Sequence, residues 1–281
     1  HLYKHPVDLK TYIESKRLSG KTIGFVPTMG ALHEGHLSLL KESKKTCDIT
    51  VCSIFVNPAQ FNNREDFVKY PKTLSDDILL LEENDCDILF LPYEAEIYPD
   101  ELSRIKHFDL GYLETILEGK FRPGHFQGVC LIVEKLLKIV RPGFLFLGQK
   151  DFQQCMVIRK LLEIMHSETK LIICPTVREK SGLAKSSRNL RLTNTEQVLA
   201  SELHESLANI QNQLRPDNFL SLKKKAIVEL ENLNFNVEYL ELATSDNLEL
   251  ISAYRSGQQI VILIAAYFHE VRLIDNLLIN S

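Results

Sequence analysis

Five short apolar runs punctuate the first 175 residues, at 23–26, 49–56, 88–91, 145–147 and 171–174. Each is closed by proline, glycine or a polar turn. Stretches with helical spacing of apolar residues lie between them, from Glu34, over 74–83, over 129–138 and from Phe152. Buried strands alternating with helices at this rhythm predict βαβ units, and so an α/β fold with a parallel sheet. Between Tyr93 and Gly119 the pattern is less regular and reads as a loop with short helices. Beyond Thr193 the pattern changes. Thr193 with Glu196 has the form of a capping box, opening a long helix to about Leu214; a second helix is expected from about Asn218 to Leu233. Residues 237–242, 259–268 and 271–278 then read as strands. The expected organisation is an N-terminal domain of residues 1–175 and a smaller C-terminal α+β domain of residues 176–281.

Charge and cysteine usage narrow the function. With 33 basic and 37 acidic residues the net charge is −4, which offers no footprint for nucleic acid or an anionic membrane. The longest apolar run, near residues 260–268, falls well short of the roughly 20 residues that span a bilayer. The first residues, His1-Leu2-Tyr3-Lys4-His5-Pro6, lack the apolar core of a signal peptide, and the absence of an initial methionine leaves processing or trimming open. Six cysteines form no C-x-x-C pair and fall mostly in apolar stretches, which suits reduced thiols in a cytoplasmic enzyme.

The turns after the apolar runs hold the candidate chemistry. Pro27 and Gly30 break the first run, and His33-Glu34-Gly35-His36 stands where the strand hands over to a helix. A helix start presents unpaired N–H groups and the positive end of its dipole, which favours phosphate. His33 and His36 are three apart and can face one ligand, while Gly35 allows close approach. Their spacing differs from the four of a zinc-protease helix, and the G-x-G-x-x-G dinucleotide fingerprint is absent. After the second run, Asn57 and Gln60 either point into the crevice beyond the strand ends or simply close the turn. Arg122 and His125, on a Pro-Gly turn, suit either an anionic substrate or the shaping of that turn. The turn after the fourth run carries Gly148, Lys150 and Asp151: a lysine placed for phosphate and an aspartate for helix capping, ribose or Mg²⁺. Gln154 leans back toward the same mouth. Residues 181–189, with Lys185, Ser186, Ser187 and Arg188, suit either polyphosphate binding or a basic, serine-rich linker.

Taken together, these stretches resemble the pantothenate synthetase family. The motifs run in order: P-T-M-G-A-L-H-E-G-H (27–36), F-V-N-P-A-Q-F (55–61), R-P-G-H-F-Q-G-V (122–129), G-Q-K-D-F-Q-Q (148–154), P-T-V-R-E (175–179) and S-S-R-N (186–189), with V-R-L-I-D-N (271–276) near the end. The H-x-G-H element is similar to that of nucleotidylyltransferases and class I aminoacyl-tRNA synthetases. The resemblance implies a Rossmann-like, doubly wound sheet binding ATP and pantoate, with the C-terminal domain as a lid. It implies a two-step ligase using pantoate, β-alanine and Mg²⁺ with ATP, through a pantoyl adenylate, in a cytoplasmic homodimer.

By the same resemblance, Pro27, Met29, Gly30, His33, Gly35 and His36 hold the triphosphate, with His36 as proton donor. Lys150 stabilises the transferred phosphate, and Ser186, Ser187 and Arg188 clamp the β- and γ-phosphates. Gly148, Asp151 and Val177 bind the nucleotide. Gln60 and Gln154 grip pantoate, with Asn57, Arg122 and His125 joining the pantoate and β-alanine set, and Mg²⁺ is placed near Asp151. Lys185 stands where the family usually has methionine, either strengthening ATP binding or pointing to solvent. A nucleotidylyltransferase acting on a phosphorylated acceptor would want cations where Gln60 and Gln154 are neutral. A nucleotide-binding regulator would not need His36, Lys150 and Arg188.

Overall fold

The structure, a computed structural model, describes residues 1–62, 64–100 and 105–280. The chain divides into two compact units: His1–Gly148 with Val157–Pro175, and Gln149–Met156 with Thr176–Ser281.

The first unit is built on a six-stranded, wholly parallel sheet. Its strands are β1 (Leu2–Tyr3), β2 (Ile23–Thr28), β3 (Ile49–Ile54), β4 (Ile88–Phe90), β5 (Phe144–Gly148) and β6 (Lys170–Cys174), in the order β1-β4-β3-β2-β5-β6. Strand order therefore reverses between β2 and β5, and the doubly wound arrangement puts its ligand crevice beyond the carboxyl ends of those two strands. Val26, Cys52, Ile54, Leu89 and Phe146 pack on one face with Leu37 and Leu40 of α2 (Glu34–Thr46) and Leu81 of α4 (Leu74–Glu83). By the twofold alternation of a strand, the fully buried Phe25, Val51 and Leu145 face the other way. There α7 (His125–Val140) packs against β2 and against α1 (Pro6–Leu18).

Three features depart from the pattern read in the sequence. First, β1 and α1 had no strong signal, because β1 is two residues long and α1 buries only Pro6, Leu9 and Ile13. Second, Pro27 does not end β2. Ile23 and Phe25 face β5 while Thr22 and Thr28 bond toward β3, so Pro27 also faces β5; there the β2–β5 pairing covers only Gly24 and Phe25. Its missing N–H costs no ladder bond. Third, α7 starts at His125, behind Gly124 in the left-handed region (φ +80°), so His125 lies on the helix itself. Between Tyr93 and Gly119, α5 (Glu94–Ile97), a 3₁₀ turn at Gly111–Glu114 and α6 (Leu117–Phe121) are short helices; residues 101–104 of that stretch lie outside the described residues. A further short helix, α3, covers Arg64–Val68.

The second unit takes in the start of α8 (Phe152–Ile164) and a four-stranded antiparallel sheet ordered β10-β9-β7-β8, from β7 (Phe235–Thr244), β8 (Leu250–Ile251), β9 (Gln259–Phe268) and β10 (Val271–Asn280). Its core joins Leu240, Leu242, Ile260, Ile262 and Ile264 to Leu203, Leu207 and Ile210 of α10 (Glu202–Gln213) and Ala226 and Leu230 of α11 (Phe219–Asn232). The Thr193–Glu196 capping box forms, but it opens α9 (Asn194–Ala200), a helix separate from α10. The break at Ser201 has a local cause: its hydroxyl bonds back to the Val198 carbonyl at 2.6 Å, competing with the helical ladder. No helix among the described residues is long and apolar enough to cross a membrane.

Candidate active site

In the first unit, β2 delivers the chain at the switch point, and Ala31 and Leu32 just beyond it are tied to a buried carboxylate. Asp77 of α4 is 1 % exposed; it accepts the Leu32 N–H at 2.7 Å on Oδ1 and the Ala31 N–H at 3.0 Å on Oδ2. Thr73 Oγ1 adds a bond to Oδ1 at 3.2 Å. This grip holds Ala31 in the left-handed region (φ +49°), which a residue with a Cβ enters at a cost of about 1–2 kcal/mol. Gly30 is required by the same packing: at φ +80° a Cβ there would lie 2.9 Å from Asp77 Oδ2.

His33 is the N-cap of α2 and His36 its third residue, and the two form a reciprocal capping box with imidazoles in place of the usual hydroxyl and carboxylate. Gly35 donates its N–H to His33 Nδ1 at 3.1 Å, and His33 donates its N–H to His36 Nδ1 at 3.3 Å. An imidazole that accepts on Nδ1 is neutral and carries its hydrogen on Nε2. Both rings, whose centroids are 4.1 Å apart, are thereby fixed as Nε2–H donors. Neither can ligate a metal without giving up its capping bond. The bare helix terminus expected from the sequence is also modified. The N–H groups of Gly30, Ala31, Leu32, His33, Gly35 and His36 all bond within the loop and its Asp77 anchor, because a polar turn this tight caps itself.

Three separated motifs meet at Gln60, which ends a 3₁₀ turn at Pro58–Gln60. Its Nε2 reaches Met29 Sδ at 2.9 Å, its Oε1 accepts from Asn57 Nδ2 at 3.2 Å, and its carbonyl pairs with His125 Nδ1 at 2.7 Å. Asn57, 1 % exposed, spends its whole amide on this scaffold: Nδ2 bonds also to the Gly128 carbonyl, and Oδ1 takes the Ala59 N–H and the Tyr98 hydroxyl. Gly128 is where α7 touches the turn, since a Cβ there would lie 2.1 Å from the Ala59 carbonyl oxygen. Arg122 is drawn to Glu118 at 3.4 Å.

In the second unit, Lys150 lies on a 3₁₀ turn, Gln149–Asp151, directly after Gly148, the last residue of β5. Its ammonium stands 3.8 Å from Asp151 Oδ2. On the first turn of α8 Gln153 is buried and Gln154 partly exposed. Residues 176–192 are built into the fold, unlike a linker. Arg178 and Ala184 form an antiparallel bridge, the Lys185 N–H bonds to the Val177 carbonyl at 2.9 Å, and Ser187–Arg191 is a 3₁₀ turn capped by Ser186 Oγ. Lys185 is held by Glu179 at 3.0 Å and largely buried, so its charge is matched inside the loop.

No nucleophilic thiol is on offer. None of the six cysteines is in a disulfide, and burial pushes Cys130 up to about 12 and Cys47, Cys86 and Cys174 up to about 11. Among the described residues no group of three or more His, Cys, Asp or Glu side chains is assembled to hold a metal.

Residues 1–278 match the family model described as pantoate-beta-alanine ligase. The pantothenate synthetase of Cytophaga hutchinsonii is 44 % identical over 275 residues, covering 96 % of each chain. That of Porphyromonas gingivalis is 40 % identical over 278 residues and 98 % of each. Among solved structures, pantothenate synthetase from Thermus thermophilus superposes with a TM-score of 0.89 at 34 % identity, covering 99 % of this chain and 98 % of that one. The pantoate-beta-alanine ligase of Francisella tularensis, solved with beta-gamma ATP and beta-alanine, gives 0.81 at 39 % identity over 99 % and 97 %. The chain belongs to the pantoate-beta-alanine ligase family of enzymes.

Proposed function

We propose that this chain condenses pantoate with β-alanine at the expense of ATP, through a pantoyl adenylate. A carboxylate oxygen of pantoate attacks the α-phosphorus of ATP, and the bond to the bridging oxygen of the β-phosphate breaks, releasing pyrophosphate. The free amine of β-alanine then attacks the acyl carbon of the mixed anhydride. The carbon–oxygen bond to phosphate breaks, AMP departs, and the nitrogen sheds a proton to give the amide. Neither step needs a covalent enzyme nucleophile, so positioning and charge stabilisation supply the catalysis. Mg²⁺ enters with ATP as part of the substrate, with Asp151 as the carboxylate beside Lys150.

The observation that carries this reading is the His33–His36 pair at the carboxyl end of β2, fixed as two Nε2–H donors. Neutral donors hydrogen-bond phosphate oxygens without a counter-ion's grip on departing pyrophosphate. His36 is assigned to charge developing on the phosphates during transfer, and Lys150 to the α-phosphoryl group. Arg188, Ser186 and Ser187 are assigned to the β- and γ-phosphates, and Gly148 and Val177 to the nucleotide. Gln60 retains one N–H and one lone pair beyond its protein partners, enough to hold a hydroxyl and a carboxylate oxygen of pantoate; Gln154 is its proposed counterpart. Asn57 and His125 are assigned to holding Gln60 in place. A homodimer is proposed on the family resemblance, and a cytoplasmic location on the family resemblance together with six cysteines that form no disulfide.

Pantoate-dependent exchange of labelled pyrophosphate into ATP, with β-alanine absent, tests the first step. Exchange that requires pantoate, followed by AMP release when β-alanine is added, is the expected result. Neither exchange nor AMP release with all substrates present would overturn the reading.

A further inference from the structure

The turn that carries Lys150 is fastened by a residue 126 positions away. Asn276, in β10, is 1 % exposed. Its Nδ2 donates to the carbonyls of Gln149 at 2.9 Å and Lys150 at 3.0 Å, and its Oδ1 accepts from Gln149 Nε2 at 3.1 Å. One side-chain amide thus ties both backbone carbonyls of a turn that the β10 ladder does not reach. Asn276 is itself fixed, its N–H donating to Asp275 Oδ1 at 2.7 Å. Asp275, 3 % exposed, receives both terminal nitrogens of Arg178 at 2.6 and 3.0 Å, a two-point pairing that sets orientation as well as distance. Arg178 also donates to the Gly182 carbonyl at 3.1 Å, inside the loop that leads to Ser186–Arg188. These bonds form one continuous chain from the Lys150 turn, through β10, to the base of the loop bearing Arg188.

We propose that Asn276 is a positioning residue for Lys150. Pinning the Gln149 and Lys150 carbonyls fixes the direction in which the lysine side chain leaves the backbone. The Asp275–Arg178 pair holds the loop of Ser186, Ser187 and Arg188 on the same frame. The cations assigned to the α-phosphate and to the departing pyrophosphate are therefore presented as one pre-spaced set. This rests on the reading that Lys150 acts on the transferred phosphate. Such groups act through geometry, and a displacement of about 1 Å costs on the order of 10²-fold in rate.

The test is a double-mutant cycle on full-length enzyme, read by pantoate-dependent pyrophosphate exchange with unfolding midpoints measured alongside. Asn276→Ala is expected to lower kcat by roughly 10- to 10²-fold with the KM for ATP changed less than about threefold, because the loss falls on the transition state. In a Lys150→Ala background the same change should cost less than about threefold further, since a positioning residue has nothing left to position. Gln149→Ala removes one of the three bonds at a partly exposed residue; it should give a smaller kcat loss with the same dependence on Lys150, and it carries the cycle if Asn276→Ala does not fold. Equal losses in both backgrounds, or a folded Asn276→Ala enzyme with unchanged kcat, would overturn the proposal. Full activity in Lys150→Ala alone would instead overturn the assignment of Lys150, a separately visible failure.

Discussion

Replacing Asp77 should damage both stability and turnover, although it lies beneath the H-x-G-H loop and is nearly inaccessible. Its carboxylate receives two backbone N–H groups, from Ala31 and Leu32, which are 4 % and 9 % exposed. Hydrogen bonds to a charged partner contribute about 1.5–3 kcal/mol each, and a buried donor left without an acceptor costs a similar amount. Asp77→Ala therefore removes about 3–6 kcal/mol, a large share of the 5–15 kcal/mol that typically separates folded from unfolded protein. The sharper test is Asp77→Asn, which keeps the shape. One oxygen still accepts, but an NH₂ now faces the other backbone N–H, so about 2–3 kcal/mol should be lost in urea unfolding followed by circular dichroism. The grip on left-handed Ala31 and its neighbour Leu32 is then weakened. The loop relaxes, the Met29–Gln60 contact loosens, and kcat for pyrophosphate exchange should fall about tenfold in the folded variant. A stability change within about 0.5 kcal/mol, with kcat unaltered, would refute the view that this carboxylate sets the loop.

Other perturbations separate the assigned roles. Lys150→Ala should reduce adenylate formation by at least about 10²-fold by removing charge stabilisation at the transferred phosphate; near-normal single-turnover rates would contradict that. Gln60→Ala should chiefly raise the KM for pantoate. Gly128→Ala should do the same by forcing the new methyl against the Ala59 carbonyl and shifting the Gln60 turn, so an unchanged pantoate KM in both would sink the Gln60 assignment. Burial, with Arg178 beside it, holds the His204 imidazole below its ordinary 6.5 against the pull of Asp275 and Glu205. As pH falls below about 6.5 the unfolded chain gains a proton there that the folded chain does not, so stability declines toward acid through the lower folded value. His204→Gln should flatten the stability–pH curve on the acid side of about pH 6.5; an unchanged slope would exclude His204 as its source.

Legibility in the sequence followed the range of the interactions involved. The parallel strands declared themselves because β2, β3 and β5 are buried apolar runs, and the Thr193–Glu196 cap because both partners lie within one turn. Pro27 misled because its cost depends on which neighbour it faces, and only the sheet order shows that its side of β2 is already unpaired. Asp77 and Asn276 were missed for a related reason. Each acts on backbone groups tens to more than a hundred residues distant, and within its own element each resembles an ordinary polar position. A signal was present for Asp77: it lies four residues before the buried Leu81, on the helix's inward stripe, where a lone carboxylate calls for partners. His125 and Asn57 read equally well as ligand contacts or turn residues. Their bonds to and around Gln60 give them scaffold work that spacing alone could not reveal.

Tracing oxygen from pantoate shows whether a pantoyl adenylate forms. With both carboxylate oxygens of pantoate labelled with ¹⁸O, attack on the α-phosphorus leaves one label in AMP and the other in the amide carbonyl of the product. One ¹⁸O per AMP is expected, matched to pantothenate formed. Unlabelled AMP, or ADP and labelled inorganic phosphate as the nucleotide products, would contradict a pantoyl adenylate.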